Sequence, residues 1–534
     1  MLPGFRLPAG RARGIITGMK KLPIGKQTFE RLILDGCLYV DKTAWIHRLI
    51  TEGDVYFLSR PRRFGKSLLV TTLKAIFEGR RDLFEGLAIA GLDYDWAPHP
   101  VLHLDFSAER TTTGESLEVF LASCVREFAA RHDVSPGATG YTGMLRETLA
   151  ALGASGEKTA VLIDEYDKPI LDHIEDSARA GEMRETLKGF YTALKASDAH
   201  LRFVFLTGVS KFAKMSVFSG LNNLKDITLN ARFSTMLGYT QEELEACFPE
   251  GIDALAQAQD LAREACIKKI AEWYNGYRFA PDAQRVYNPF STLLLFDALT
   301  FRDYWFETGT PTFLLKLLRK HEKPAVGELD GVRVGEGAFS SYEPERLQPL
   351  PLLFQTGYLT ILDYSKEDEL YTLGYPNREV RRAFTTALLE EFAGTPNGLN
   401  AAYTVDLRDA LAAGDMEKFF ETMRVFFANV PYDIQLKHEK YYQTIFYLVF
   451  TLLGMRIETE VRTERGRIDA AAQTADTAYV FEFKLSGTAA EALEQARANE
   501  YTLKYQGQGK RVRVFGVAFD PETRNIGDWL EGGG

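Results

Sequence analysis

Two stretches of the chain hold ionisable residues at spacings that suit phosphate chemistry. The first is RPRRFGKS, Arg60–Ser67, followed further on by VLIDEYD, Val161–Asp167. The phosphate-loop pattern GxxxxGK[ST] uses glycines for its tight turn, backbone amides to cradle phosphate, a lysine for charge and a hydroxyl for Mg²⁺. Arg63, Phe64, Gly65, Lys66 and Ser67 fill its last five positions and Leu68 follows, while Arg60 stands where the first glycine belongs. Lys66 is expected to neutralise the outer phosphates of ATP, and Ser67 to ligate Mg²⁺. Asp164, ending an apolar run, is the expected second Mg²⁺ ligand, and Glu165 the group that polarises an attacking water. Thr207, with Ser210 close behind it, has the place of a polar sensor near the γ-phosphate.

The second stretch is GRID, ending on Asp469, and YVFEFKL, which carries Glu482, Phe483 and Lys484. Phosphodiester hydrolysis needs carboxylates to hold one or two Mg²⁺ ions and a cation to orient water or stabilise developing charge. Side chains alternate along a strand, so Glu482 and Lys484 share a face and Phe483 takes the other. An aspartate on the neighbouring strand then reaches the same metal. Glu439, on the preceding helix, is a further candidate acid, and Gln495, on the following helix, is expected to face the sheet. Tyr501 and Tyr505, four apart, would share a helical face and either contact a phosphate or pack.

Each feature has a plainer reading. A basic loop capping a helix accounts for GKS, and acids after a buried strand serve as solvated loop residues. Thr207 and Ser210 could simply satisfy backbone groups. Arg60, Arg62 and Arg63 could hold phosphate, touch nucleic acid or face solvent. An ExK on a strand is commonly a salt-bridge face, and a buried structural ion pair stays open. The order of GKS and IDEYD, and the apolar surroundings of Glu482 and Lys484, favour function, because burying charge needs a reason.

The elements that must position these groups follow from hydrophobic period. DVYFLS, the basic loop and LLVTTLKAIFEG read as strand, loop and amphipathic helix. Apolar strands recur at Val101 to Ser107, Thr159 to Tyr166 and Leu201 to Ser210, with helical segments such as Glu115 to Arg131 between them. That alternation predicts a parallel sheet covered on both faces. From about Gln241 to Ala428 the pattern is mainly helical, broken by GYLTILDY and ELYTLGYP, a hairpin that a winged helix or a helical lid would both accommodate. After Pro431 come a helix, the strands MRIETEVRT, GRIDAAAQT and TAYVFEFKL, a second helix and the strand RVRVFGVAF.

At 534 residues the chain exceeds what one core supports, so two or three domains are expected. With 46% apolar and 25% charged residues it can bury a core. A net charge of -10 excludes coating nucleic acid by bulk electrostatics, so such contact must be local. Four scattered cysteines without CxxC spacing indicate neither a zinc knuckle nor a disulfide framework, which fits a cytoplasmic location. No apolar run approaches the roughly 20 residues of a membrane span, and the start shows no signal-peptide h-region, so a soluble protein is expected. Residues 1–18 read as an extension without a functional role.

Taken together, LPIGKQTFERLI, YVDKT, FLSRPRRFGKSLL, VLIDEYDKPI, LTGVSKF, WYNGYRF, FQTGYLTI, YTLGYPNREV, GRID and FEFKL resemble bacterial AAA-ATPase-like proteins with a C-terminal PD-(D/E)XK nuclease-superfamily domain. The resemblance covers nearly all of the chain after Met19, and Arg60 in the loop looks typical of that family. It implies an α/β P-loop NTPase domain over 19–245, with a parallel sheet and helices on both faces. A mainly helical middle region follows over 246–430, then an α/β restriction-endonuclease-like domain over 431–534. The expected activity is an ATPase coupled to a Mg²⁺-dependent nuclease, with ATP and Mg²⁺ as cofactors. Nucleic acid is the expected partner, DNA before RNA, with no membrane and an oligomer possible. A nucleotide-switched binding protein that does not cleave is the alternative. A signalling ATPase whose C-terminal domain only assembles is a third reading, and the D, ExK set weighs against it.

Overall fold

The computed structural model describes residues 20–211, 223–306, 312–320, 326, 329–339, 348–394, 399–430, 439–462, 467–474, 476–485, 487–498, 505 and 509–532. Residues 1–18 and Tyr501, considered above, lie outside the described residues.

Strands β1 (Val55–Ser59), β2 (Val101–Asp105), β3 (Thr159–Asp164), β4 (Leu201–Gly208) and β5 (Lys225–Asp226) form a parallel sheet in the order β2-β3-β4-β1-β5. Alternation divides their side chains between two cores. Phe57, Val161, Ile163, Val204 and Leu206 face the helices Gly114–Arg131, Tyr141–Ala154 and Ser177–Ala196. Tyr56, Leu58, Ala160, Leu162, Phe203 and Phe205 face Thr43–Thr51 and helix α1, Lys66–Phe77. Two covered faces explain why the strands read as continuous apolar runs. The short β5 has no such run, and only its pairing with β1 defines it.

The middle region is mainly helical. Its hairpin, β7 (Thr360–Ser365) and β8 (Leu370–Gly374), gains a partner in β6 (Val332–Val334), giving an antiparallel sheet in the order β6-β8-β7. Helix α2, Arg378–Ala393, packs beside helix α3, Glu439–Leu452, and the Tyr441 hydroxyl donates to the Phe392 carbonyl at 2.9 Å. Among the described residues, no helix is long and apolar enough to cross a membrane.

The C-terminal sheet runs β13-β12-β11-β10-β9, with β9 (Arg456–Arg462), β10 (Arg467–Gln473), β11 (Thr477–Lys484), β12 (Arg511–Asp520) and β13 (Asn525–Gly532). β11 and β12 are parallel, so a crossover is required, and helix α4 (Ala489–Ala498) lies within it. One face buries Phe481, Phe483, Phe515 and Val517 against Phe446 and Phe450 of α3. The other buries Ala471, Ala478, Val480 and Val514 against Leu493, Ala496 and Tyr505. Gly516 permits this second packing, because a Cβ there would collide with the backbone of Ala489 and Leu493. The strand β13 departs from the sequence expectation, which ended at RVRVFGVAF.

In the middle region Gly276 has φ +122°, and a Cβ there would overlap the Pro376 carbonyl. Gly276→Ala is expected to lower stability by about 2–3 kcal/mol, read from the urea midpoint of the full chain.

Candidate functional site

β1 delivers the chain into a loop that ends at Gly65, whose φ of +89° makes it the left-handed cap of α1. Lys66, first in the helix and 4% exposed, donates from Nζ to the carbonyls of Arg60 and Pro61, each at 3.1 Å. Its Nζ also lies 3.8 Å from Glu165 Oε1. Asp164 ends β3 at the same sheet edge, where its carboxyl accepts the Glu165 amide at 3.0 Å and the nearby Ser67 hydroxyl favours its charged form. The fold therefore brings Lys66, Ser67, Asp164 and Glu165 together. Burial, assisted by the Glu165 charge, pushes the Asp164 carboxyl up to about 6.

The other residues of the front motif divide. Phe64 is a core residue, its ring edge against Tyr277 and Phe279 at 4.8 and 5.5 Å. Phe64, Gly65 and Leu68 line an apolar cleft with Leu38, Val40 and Leu237. Arg62 and Arg63 are exposed, with the Arg63 guanidinium 4.8 Å from the Phe290 ring centre. Arg60 is buried instead. Its guanidinium donates to the carbonyls of Ser59 and Thr228 at 2.9 and 2.8 Å and lies 4.0 Å from the Phe279 ring centre. Burial pulls it down to about 9, still cationic at neutral pH. Phosphate, nucleic acid and solvent are the readings that sequence leaves open for Arg60; the guanidinium is instead turned inward onto the protein's own carbonyls.

Thr207 is likewise committed, fully buried and donating from its hydroxyl to the Leu58 carbonyl at 2.8 Å. That bond matches the plainer reading of the residue. Asp167, which the sequence reading passed over, accepts from the Val209 amide at 3.1 Å and from the amide and hydroxyl of Ser210, each at 2.6 Å. It ties the end of β4 to the turn after β3. Its signal was a second aspartate, three residues on from Asp164.

At the rear, the register that sets Ala470 opposite Phe481, carried one residue further, sets Asp469 opposite Glu482. Asp469 Oδ2 accepts the Phe483 amide at 2.8 Å, and Oδ1 accepts the Gln443 amide at 3.1 Å. Glu482, 1% exposed, accepts from Gln495, which in turn receives the Lys484 ammonium at 2.5 Å. Gln495 thus bridges acid and lysine from α4, and Asp469, Glu482, Lys484 and Gln495 meet in one place. Glu439 opens α3, but its side chain lies outside the described residues. Gln443, one turn on, makes the contact with Asp469. A glutamine in the largely apolar YYQTIFYLVF was the signal for it. Tyr505 is fully buried against Ala471 and Val480, so it packs rather than meeting a phosphate.

Residues 23–218 match the family described as predicted AAA-ATPase, AAA-ATPase-like, and residues 437–529 match the PD-(D/E)XK nuclease superfamily. A protein of Azotobacter chroococcum mcd 1, described as "Uncharacterized protein in vnfD 5'region", is 39% identical over 528 residues, 95% of this chain and 98% of that protein. The chain belongs to the AAA-ATPase-like family with a C-terminal PD-(D/E)XK nuclease-superfamily domain. Two solved structures also resemble this AAA-ATPase-like protein, at scores too low to carry weight. The ORC2 protein of Aeropyrum pernix matches at TM-score 0.23 and 12% identity, over 63% of this chain and 87% of its own. Cdc6p of Pyrobaculum aerophilum matches at 0.21 and 10%, over 66% and 92%.

The raised Asp164 carboxyl has a consequence for stability. Native Asp164 keeps its proton to about pH 6, whereas the unfolded chain releases it near the ordinary aspartate value of 3.8. Its contribution to stability is therefore present below about pH 4 and is lost as pH rises through 6. Asp164→Asn is expected to stabilise the protein at pH 7.5 by up to about 3 kcal/mol and by little at pH 4, measured by thermal unfolding at both.

Proposed function

We propose that this AAA-ATPase-like protein binds and hydrolyses ATP at the Lys66 site and cleaves nucleic-acid phosphodiesters, DNA before RNA, at the Asp469 site. The observation that carries the second half is the placement of Asp469 on β10 opposite Glu482 on β11, with Gln495 of α4 tying Glu482 to Lys484 by hydrogen bonds. A structural ion pair needs no second acid, and a second carboxylate beside the first raises the cost of burial.

The donor sets suit the proposed cofactors. Gly65 and the first turn of α1 present amides of the kind that bind phosphate, and Lys66 adds a cation. The apolar cleft lined by Leu38, Val40, Leu68 and Leu237 suits the base. Ser67 and Asp164 would hold Mg²⁺ there, and Glu165 would orient the attacking water. At the rear, among the described residues, no group of three or more His, Cys, Asp or Glu is placed to hold a metal. Asp469 and Glu482 as two carboxylates suit Mg²⁺, which keeps several waters and leans on substrate phosphate. Bound there, Mg²⁺ would polarise the scissile phosphate and acidify a water. Lys484 would stabilise the charge that develops on the phosphate, Gln495 would keep Lys484 and Glu482 in register, and Gln443 would orient Asp469. Arg63, Phe64 and Thr207 shape the front loop and its sheet edge. Glu439 stays a proposed acid.

The domain limits near 245 and 430 belong to the same proposal, as does a cytoplasmic setting, which the four free cysteines suit. Lys66→Ala is expected to abolish ATP binding and hydrolysis. Asp469→Asn is expected to lower Mg²⁺-dependent cleavage of DNA on the order of a hundredfold or more while leaving ATP binding intact. Cleavage by Asp469→Asn at the wild-type rate would overturn the nuclease reading, and wild-type DNA binding without cleavage would favour a nucleotide-switched binding protein.

A further inference from the structure

Several sequence motifs remain without a role in either site: NGYRF, TGYL and GYPNREV. In the fold they converge on the front loop. Tyr277 and Phe279, from the first, hold Phe64, and Phe279 also underlies Arg60. Gly357, from the second, has φ +90°, and a Cβ there would come within 2.7 Å of the Pro61 ring. Tyr358, next to it, meets Trp305 at 5.2 Å and Phe384 at 4.5 Å. Glu379, from the third, is fully buried at the start of α2.

Trp305 joins these pieces to the loop. Its indole Nε1–H donates to the Arg62 carbonyl at 3.1 Å, and its backbone N–H donates to Glu379 Oε1 at 2.7 Å. The Ser291 hydroxyl donates to the same carboxyl, at 3.1 and 2.9 Å to its two oxygens. Immediately after Arg62 the loop visits the left-handed region at Arg63, φ +67°, and again at Gly65. A left-handed non-glycine residue persists only where its surroundings hold it. The loop has no glycine at position 60 to ease its path, so its shape must be imposed from outside.

We propose that Trp305, held by Glu379, is the positioning residue of the phosphate loop, and that nucleotide affinity is therefore set by the middle region. The idea rests on the ATP reading for its functional half, while the loop-holding half stands apart from it. Burial lifts the Glu379 carboxyl to about 8, so near neutral pH it carries a proton, and glutamine is a close replacement.

The test uses the full chain. In Trp305→Phe the ring packing survives and the indole donor is lost. Titration with a fluorescent ATP analogue is expected to show roughly fivefold to tenfold weaker binding. Amide exchange of residues 62–66 in the nucleotide-free protein is expected to quicken, with β1 and β3 unchanged. Glu379→Ala should behave like Trp305→Phe, and Glu379→Gln should restore wild-type binding and exchange. Ser291→Ala, a milder change that also loosens Glu379, serves if Trp305→Phe does not fold, and should quicken exchange in the same residues. Unchanged loop exchange in the folded variants would overturn the proposal. If the wild type binds no nucleotide but Trp305→Phe still loosens the loop, the ATP reading fails and the clamp stands.

Discussion

A guanidinium shut away from water constrains the front half of this protein more than any other group. Arg60 is 1% exposed, and an uncompensated charge in that position would cost several kcal/mol. Its compensation comes from three parts of the chain: the end of β1, the Thr228 carbonyl after β5, and the Phe279 ring of the middle region. All three must be in place before the loop beyond Arg60 can take its shape. A glycine in that position would have left the turn to its own flexibility. Arginine makes it depend on neighbours that are remote in sequence.

The rear site obeys the same rule with opposite charge. Asp469 and Glu482 are carboxylates removed from water, and backbone or side-chain amides attend both. Glutamine suits this role because its amide both donates and accepts without adding charge. Gln495 uses both capacities, donating to Glu482 and accepting from Lys484. The close seat of α4 over Gly516 brings Gln495 within reach, so a missing side chain on β12 helps to shape a site built on its neighbour β11.

What could be read from sequence was what local pattern encodes. The strands β1 to β4 and β9 to β12 announce themselves through apolar runs, and the acids at their ends through their charge. DEYD and FEFK placed Asp164, Glu165, Glu482 and Lys484 before any fold was known. Other features depend on distant partners. β5 has two residues and exists only through β1, and β13, written NIGDWLEG, gains strand character by pairing with β12. Arg60 is a basic residue in a basic loop until Phe279 arrives beneath it. The Thr207 hydroxyl meets the Leu58 carbonyl because β4 lies beside β1, a neighbour 149 residues away. Motifs such as NGYRF were plain as letters, yet only packing shows that they surround the phosphate loop.

One cluster of buried side chains runs from Phe57 in β1 through Tyr277, Phe354 and Phe384 to Phe446 and Phe515 near the other end of the chain. Continuity of this kind means that neither end owns the whole of its hydrophobic interior. A protease that severed the chain just ahead of α3 would turn aromatic rings on both fragments toward water, and such surfaces invite aggregation. The two halves are thus poor candidates for separate lives, because each would carry into water an apolar surface that the other covers.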